Sequence, residues 1–276
     1  MKQKVILITG ASSGIGYDAA MKLAERGHKV YAAARRVELM EPLKAKGIEV
    51  MKMDVTDEQS MAAGVQSVLD KEGRIDVLVN NAGYGFFGPV ETVTMEEARR
   101  QVEVNVFGLA RLCQLVLPSM RKQGSGRIVN TSSIAGRATF LYGGWYNMTK
   151  YSVEALSDAM RMELKPFGID VVMIEPGIIK TDWGLIAAKH LDESTQGTPY
   201  ESVASQWASA MDWAYRSNLG SKPSAITKVI LRAVDSSRPR ARYRRGRFSG
   251  MTVFFHWLLP TRRWDALMRM GSKVKL

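Results

Sequence analysis

One cysteine in 276 residues, Cys113, excludes an internal disulfide. It lies within Leu109-Ala-Arg-Leu-Cys-Gln-Leu-Val-Leu117, an amphipathic helical pattern, and is expected to be a small buried thiol. No apolar run approaches the roughly 20 residues of a membrane-spanning helix. The four apolar residues Val5-Ile-Leu-Ile8 that follow Lys2 and Lys4 lead straight into glycine, so they read as a strand and not as a signal peptide. A reducing, cytoplasmic setting is the default expectation, and no metal site is expected. Acidic residues are scarce in one place only: residues 238–276 hold eleven Lys and Arg against the single acid Asp265. The other 237 residues hold 28 basic and 26 acidic side chains, so the net charge of +12 belongs to the C-terminal segment and the body is nearly neutral. No nucleic-acid-binding motif accompanies that charge, and a nucleic-acid partner is not expected.

What the chain has is a regular alternation of strand and helix patterns, which predicts βαβ units. Strands are expected near 4–9, 29–34, 48–52, 76–80, 127–131, 169–174 and 239–244. Helices are expected over roughly 14–26, 38–45, 57–71, 95–122, 144–165 and 224–235, several followed by glycine at the usual C-terminal cap position. The fold class is therefore α/β: a Rossmann-type doubly wound parallel sheet of about seven strands, in one domain spanning 1–276. The alternation stops after Pro176-Gly177. Residues 180–222, rich in Trp and Tyr, are expected as an irregular substrate lobe beside the sheet, and residues 246–276 as a basic C-terminal extension.

The first strand runs into Thr9-Gly10-Ala11-Ser12-Ser13-Gly14-Ile15-Gly16 as a helix begins. This is a dinucleotide-binding turn: Gly10 permits the tight turn, Gly14 lets backbone approach a pyrophosphate, and Gly16 lets the helix pack closely on the strand. Further along, Tyr146 and Lys150 are four residues apart and share one helical face. Ser132-Ser133 closes the strand Arg127-Ile-Val-Asn-Thr131, at the carboxyl edge where ligands bind in open α/β sheets. Read alone, Ser133 could equally cap a helix, Tyr146 pack, Lys150 be a solvated charge and Asn105 satisfy nearby backbone.

With these markers in order, joined by Asp54, Asn80-Asn-Ala-Gly83, Asn105 and Pro176-Gly177 with Thr181, the chain resembles the short-chain dehydrogenases/reductases from residue 4 to about 182. Val30-Tyr-Ala-Ala-Ala-Arg35, Asn81-Ala-Gly-Tyr-Gly-Phe-Phe-Gly-Pro89 and the segment ending at Tyr243 look most like the 17β-hydroxysteroid and retinol dehydrogenase branch. The resemblance implies hydride transfer between a nicotinamide and an alcohol or carbonyl, with Tyr146 as proton donor. Lys150 would favour the phenolate and hold the nicotinamide ribose, Ser133 would hydrogen-bond the substrate oxygen, and Asn105 would anchor a relay water. It also implies cofactor contacts from Gly10, Ser12, Ser13, Gly14, Ile15, Gly16, Asp54, Val55, Asn81, Ala82, Gly83, Pro176, Gly177, Ile179 and Thr181, and a homodimer or homotetramer. Asp54 would meet the adenine, beside Val55, although it could also cap the following helix. Lowering a tyrosine by about three pKa units toward neutrality requires roughly 4 kcal/mol of phenolate stabilisation, which Lys150 and an oxidised nicotinamide are placed to supply.

Cofactor choice turns on the end of the second strand, where an acid would bind a ribose 2′-hydroxyl and repel a 2′-phosphate. Here Ala34 is followed by Arg35 and Arg36, so NADP(H) is expected, although the glycine loop carries Ser13 where some NADP-preferring relatives place a basic residue. Tyr84-Gly-Phe86-Phe87, Phe140-Leu-Tyr142, Trp145 and the lobe are expected to wall an apolar pocket suited to a steroid, retinoid-like or long-chain lipid alcohol or carbonyl. A different class stays open: a catalytically silent NADP(H)-sensing regulator or membrane-docked scaffold. In the basic extension, Arg238 to Arg245 should supply an edge strand with arginines alternating outward. Met251 to Leu259, with Arg262 and Arg263, could pack on the subunit or rest on an anionic membrane.

Overall fold

A computed structural model of the chain describes residues 2–217 and 219–270. The chain forms seven strands, all but the last built on β-branched and aliphatic residues: β1 Val5–Thr9, β2 Lys29–Ala34, β3 Glu49–Lys52, β4 Val77–Asn80, β5 Gly126–Thr131, β6 Ile169–Pro176 and β7 Arg242–Arg245. All pair in parallel, in the order β3-β2-β1-β4-β5-β6-β7. The seven-stranded, doubly wound sheet expected from the alternation is present.

Every residue of β1 is buried, and the alternation of side chains along it sorts them into two cores. Ile6 and Ile8 face one way with Val77, Val79 and Val172, beneath α1 (Gly14–Glu25) and α9 (Pro223–Asp235). Val5 and Leu7 face the other with Leu78 and Ile128, beneath α3 (Glu58–Glu72) and α5 (Gly108–Gln123). Each fully buried Leu or Ile contributes about 1.5–3 kcal/mol, so a charge placed at Leu7 or Leu78 would open the sheet. Cys113 belongs to the second core; burial pushes its thiol up to about 12, while the Asn80 side chain donates to its sulfur at 3.3 Å. It is the buried thiol that its helical pattern implied.

Between β2 and β3 lie a short turn (Val37–Met40) and α2 (Glu41–Lys44). The single helix expected over 95–122 is two, α4 (Met95–Val102) and α5, joined by one π turn at Glu103–Phe107. The extra residue that such a turn accommodates lies beside Asn105, whose side chain is consequently free of the helix and points inward. Helix α6 (Gly144–Glu163) follows β5. The segment expected to be irregular is instead two packed helices, α7 (Asp182–Thr195) and α8 (Glu201–Arg216). Their aromatic residues lie at helical spacing but mixed with Ser, Thr and Gly, which masks the period.

Strand β7 starts later than expected because Pro239 has no N–H to donate to a ladder. Arg245 is exposed, but Arg242 and Arg244 do not point freely into solvent. Arg242 Nε lies 3.2 Å from Glu154 and 3.3 Å from Glu175, and Arg244 Nε donates to Glu175 at 2.7 Å. Glu175 is wholly buried in the neighbouring strand, in register with Arg244, so these cations pair carboxylates that would otherwise be stranded. Two further helices, α10 (Ser249–Leu258) and α11 (Thr261–Met270), complete the described chain.

Candidate active site

The order of strands reverses between β1 and β4, and their carboxyl ends part to leave the crevice that such a switch point creates. The glycine loop closes its floor. Gly10 takes φ +65°, and a Cβ there would lie 2.8 Å from the Ala82 Cα. Gly14 takes φ +57°, and a Cβ on Gly16 would lie 2.4 Å from the Gly10 carbonyl oxygen. Gly16 therefore accommodates the loop's own backbone rather than the strand that the motif suggested. Thr9, to which no separate role was assigned, locks this arrangement: its hydroxyl accepts the N–H groups of Asn81 and Ala82, each at 3.1 Å. The Asn81 side chain returns two bonds, to the Thr9 and Gly10 carbonyls at 3.3 Å.

Ser13 is the N-cap of α1, yet its side chain makes no capping bond and the first helical turn holds no acid. The amides of that turn are thus left to a ligand, and their partial positive charge favours an anion. Arg35 and Arg36 stand exposed past the end of β2, with Arg36 Nη2 3.5 Å from the Ser12 hydroxyl. Asp54 does not cap α3; Asp57 does, accepting from the Ser60 N–H. The Asp54 carboxylate instead accepts the Thr56 N–H and hydroxyl at 3.0 and 2.9 Å, which holds it at the crevice beside Val55. A nicotinamide dinucleotide suits this set: open amides for a pyrophosphate, two guanidinium groups for further phosphate, and a small-residue wall at Asn81-Ala82-Gly83.

One cavity of about 1130 Å³ joins these residues to Ser133, Tyr146, Lys150, Pro176, Gly177, Ile179 and Thr181. Of the expected site residues, Gly16 and Asn105 stand behind its wall. Ser133, at the end of β5, has extended backbone; its hydroxyl accepts the Ala135 N–H at 3.1 Å and lies near enough to Tyr146 to favour its phenolate. Tyr146 and Lys150 share the buried face of α6, the Lys150 Nζ 5.8 Å from the Tyr146 ring centre. That ammonium donates to the Thr131 carbonyl at 2.9 Å.

Burial dominates both groups. It pushes Lys150 down to about 8 against the opposing pull of the Glu154 carboxylate. It raises Tyr146 well above the usual phenol value, with only the Ser133 hydroxyl acting the other way. Without the oxidised nicotinamide that the expectation joins to it, Lys150 alone does not draw the phenol downward. The reason is geometric: the ammonium is engaged with a backbone carbonyl, and both groups lie out of water.

The aromatic wall differs in part from the expected one. Tyr84, Phe87 and Phe140 line the cavity, with Phe87 5.5 Å and Trp183 5.0 Å from the Tyr146 ring. Trp207 and Tyr215 of the lobe join them. Phe86 instead stacks on His190 at 4.9 Å, Tyr142 meets Tyr200 edge-on, and neither they nor Trp145 reach the cavity. Tyr142 takes φ +58°, an uncommon state for a bulky residue, with its carbonyl accepting the Gly88 N–H at 2.8 Å. A side chain reversed by its backbone could not be placed from sequence spacing. Phe248, which precedes α10, and Met251, Phe255, Trp264, Leu267 and Met268 of α10 and α11 complete the wall, and nothing in the local pattern points to them.

The short chain dehydrogenase family profile matches residues 4–189. The probable short-chain type dehydrogenase/reductase VdlC of Helicobacter pylori is 36% identical over 264 residues, 96% of each chain. The 3-ketodihydrosphingosine reductase of Bacteroides thetaiotaomicron is 40% identical over 196 residues, 71% of this chain and 70% of that one. Human 17-beta-hydroxysteroid dehydrogenase type 1 is 33% identical over 264 residues, covering 88% and 77%. Among solved structures, a short-chain dehydrogenase from Streptomyces avermitilis superposes over all of both chains with TM-score 0.81 and 31% identity. An alcohol dehydrogenase from Thermococcus sibiricus complexed with 5-hydroxy-NADP reaches TM-score 0.71 at 28% identity, covering 88% and 97%.

Proposed function

The chain belongs to the short-chain dehydrogenases, oxidoreductases that use nicotinamide cofactors, and we propose that it interconverts an apolar alcohol and its ketone or aldehyde with NADP(H). One observation carries this reading: Ser133, Tyr146 and Lys150 converge on a cavity that is continuous with the glycine loop and walled by aromatic rings. NADPH, when bound, supplies the hydride. Tyr146 holds the proton for the carbonyl oxygen, and burial keeps it protonated, the state that a donor needs. Ser133, which lines the cavity beside Tyr146, presents its hydroxyl to the same oxygen and orients it. Lys150, its ammonium 5.8 Å from the Tyr146 ring centre, would stabilise the phenolate together with the charge of an oxidised nicotinamide as the proton leaves. Arg35 and Arg36 suit a 2′-phosphate, and the NADP analogue in the Thermococcus sibiricus enzyme accords with that. The low polarity of the wall favours a steroid or long-chain lipid ketone, the substrate types that the names of two relatives carry.

The test is NADPH oxidation with a panel of apolar ketones and aldehydes, comparing the native chain with Tyr146→Phe. Turnover falling about 10²–10⁴-fold, with NADPH affinity kept, is the expected result. Equal consumption by both proteins overturns the role of Tyr146. Tight NADPH binding without turnover across the panel favours the silent sensor.

A further inference from the structure

Helix α10 presents its apolar residues outward. Met251, Phe254, Leu258 and Trp257 occupy its exposed side, Trp257 at 77% and Phe254 at 52% exposure, while Val253 is buried. The Phe254 ring lies 5.7 Å from Phe255 and 6.2 Å from Trp257. On α11, Leu267 and Met270 continue the exposed apolar surface, and Arg262 and Arg263 stand exposed beside it. The hairpin is nonetheless docked firmly: Trp264 is buried, packs edge-on against His256 and donates from its indole N–H to the Thr139 carbonyl at 3.1 Å. A contiguous patch of large apolar side chains on a rigid mount marks a contact surface.

We propose that this surface, α10 with α11, rests on an anionic lipid bilayer. Two observations choose that occupant. First, Arg262 and Arg263 stand exposed beside the apolar patch, complementary to acidic headgroups. Second, Met251, Phe255 and Leu267 are each more than a third exposed and also line the cavity beside Tyr146, so the patch is continuous with the binding site. An apolar ligand entering there passes from hydrocarbon to cavity along those three side chains. No helix among the described residues is long and apolar enough to cross a membrane, so the contact is one of lying on the surface.

The test uses the full chain with vesicles of phosphatidylcholine alone or with phosphatidylserine, in a flotation assay at low and high salt. The native chain is expected to float with the phosphatidylserine vesicles and to lose at least half of its binding at high salt. Phe254→Ser with Trp257→Ser, at positions outside the cavity wall, is expected to reduce flotation at least tenfold while NADPH binding, thermal midpoint and oligomeric state stay unchanged. Arg262→Glu with Arg263→Glu provides a second variant that leaves the apolar patch intact and should also lose flotation. Failure of the native chain to float at low salt overturns the proposal, as does flotation undiminished in both variants. A native assembly that the Phe254/Trp257 variant splits, with no vesicle binding, assigns the patch to a second copy and equally overturns it. None of these readouts requires turnover, so docking and the reductase reading fail separately.

Discussion

The carboxamide of Asn105 grips the backbone of Tyr84 from both sides, accepting its N–H at 3.0 Å and donating to its carbonyl at 2.8 Å. A further bond from Nδ2 to the Thr149 hydroxyl, at 3.1 Å, ties the same amide to α6. Through this residue the π turn, the strap that starts at Tyr84 and the helix bearing Tyr146 become one unit.

Asn105→Ala should accordingly destabilise the chain by about 2–4 kcal/mol, since each buried group left without a partner costs roughly 1–3 kcal/mol. Urea unfolding measures this, and an unchanged midpoint would show that the clamp contributes nothing. Turnover should fall too, because Tyr84 lines the cavity.

Lys150→Met should raise stability near neutral pH. The folded-state pKa of Lys150, about 8, lies below the ordinary lysine value of 10.5, so between those values the folded chain binds fewer protons than the unfolded one. Stability contributed by this group therefore rises with pH across that window, and its full penalty is present below about pH 8. The cofactor-free variant should exceed the native chain by on the order of 3 kcal/mol at pH 7, less whatever the bond to Thr131 contributes. The gap should close toward pH 10; unfolding curves at both pH values that show a constant gap would refute the assignment.

Arg35→Ala with Arg36→Ala is expected to weaken NADPH binding by about 10- to 100-fold, the worth of one or two charge-assisted bonds, and NADH binding by little. Titration of cofactor fluorescence with each nucleotide reads this directly. Equal losses for the two would remove the phosphate from these arginines.

Gly16→Ala puts a methyl carbon against the Gly10 carbonyl, where neither backbone can yield cheaply. Overpacking of this kind costs about 1–3 kcal/mol, and the displaced loop should lose NADPH affinity tenfold or more. Thermal melts with and without NADPH separate the two effects; Gly27→Ala, at a surface cap with open space around it, should leave NADPH affinity unchanged.

Much of this was legible in the chain itself. The β1 run, the alternation that follows, the glycine loop and the four-residue spacing of Tyr146 and Lys150 are local patterns, since side-chain period and turn chemistry are set within a few residues. The two helices of the lobe were not legible, because their apolar period is diluted by small polar residues. Nor was the inward pairing of Arg242 and Arg244, which depends on Glu175 in another strand, 67 and 69 residues away.

By itself, then, the sequence determined the parallel α/β architecture, the loop at the end of β1 and the identity of the Ser, Tyr and Lys beside it, because each rests on spacing along the backbone. Only the tertiary structure decided what surrounds them. Burial drives Tyr146 and Lys150 away from their solution pKa values, and Asn105 closes on Tyr84 from behind the cavity wall. Likewise α10 and α11 turn some of their apolar side chains into the cavity and others outward. Burial and long-range contact are properties of the packed chain, and no window of residues contains them.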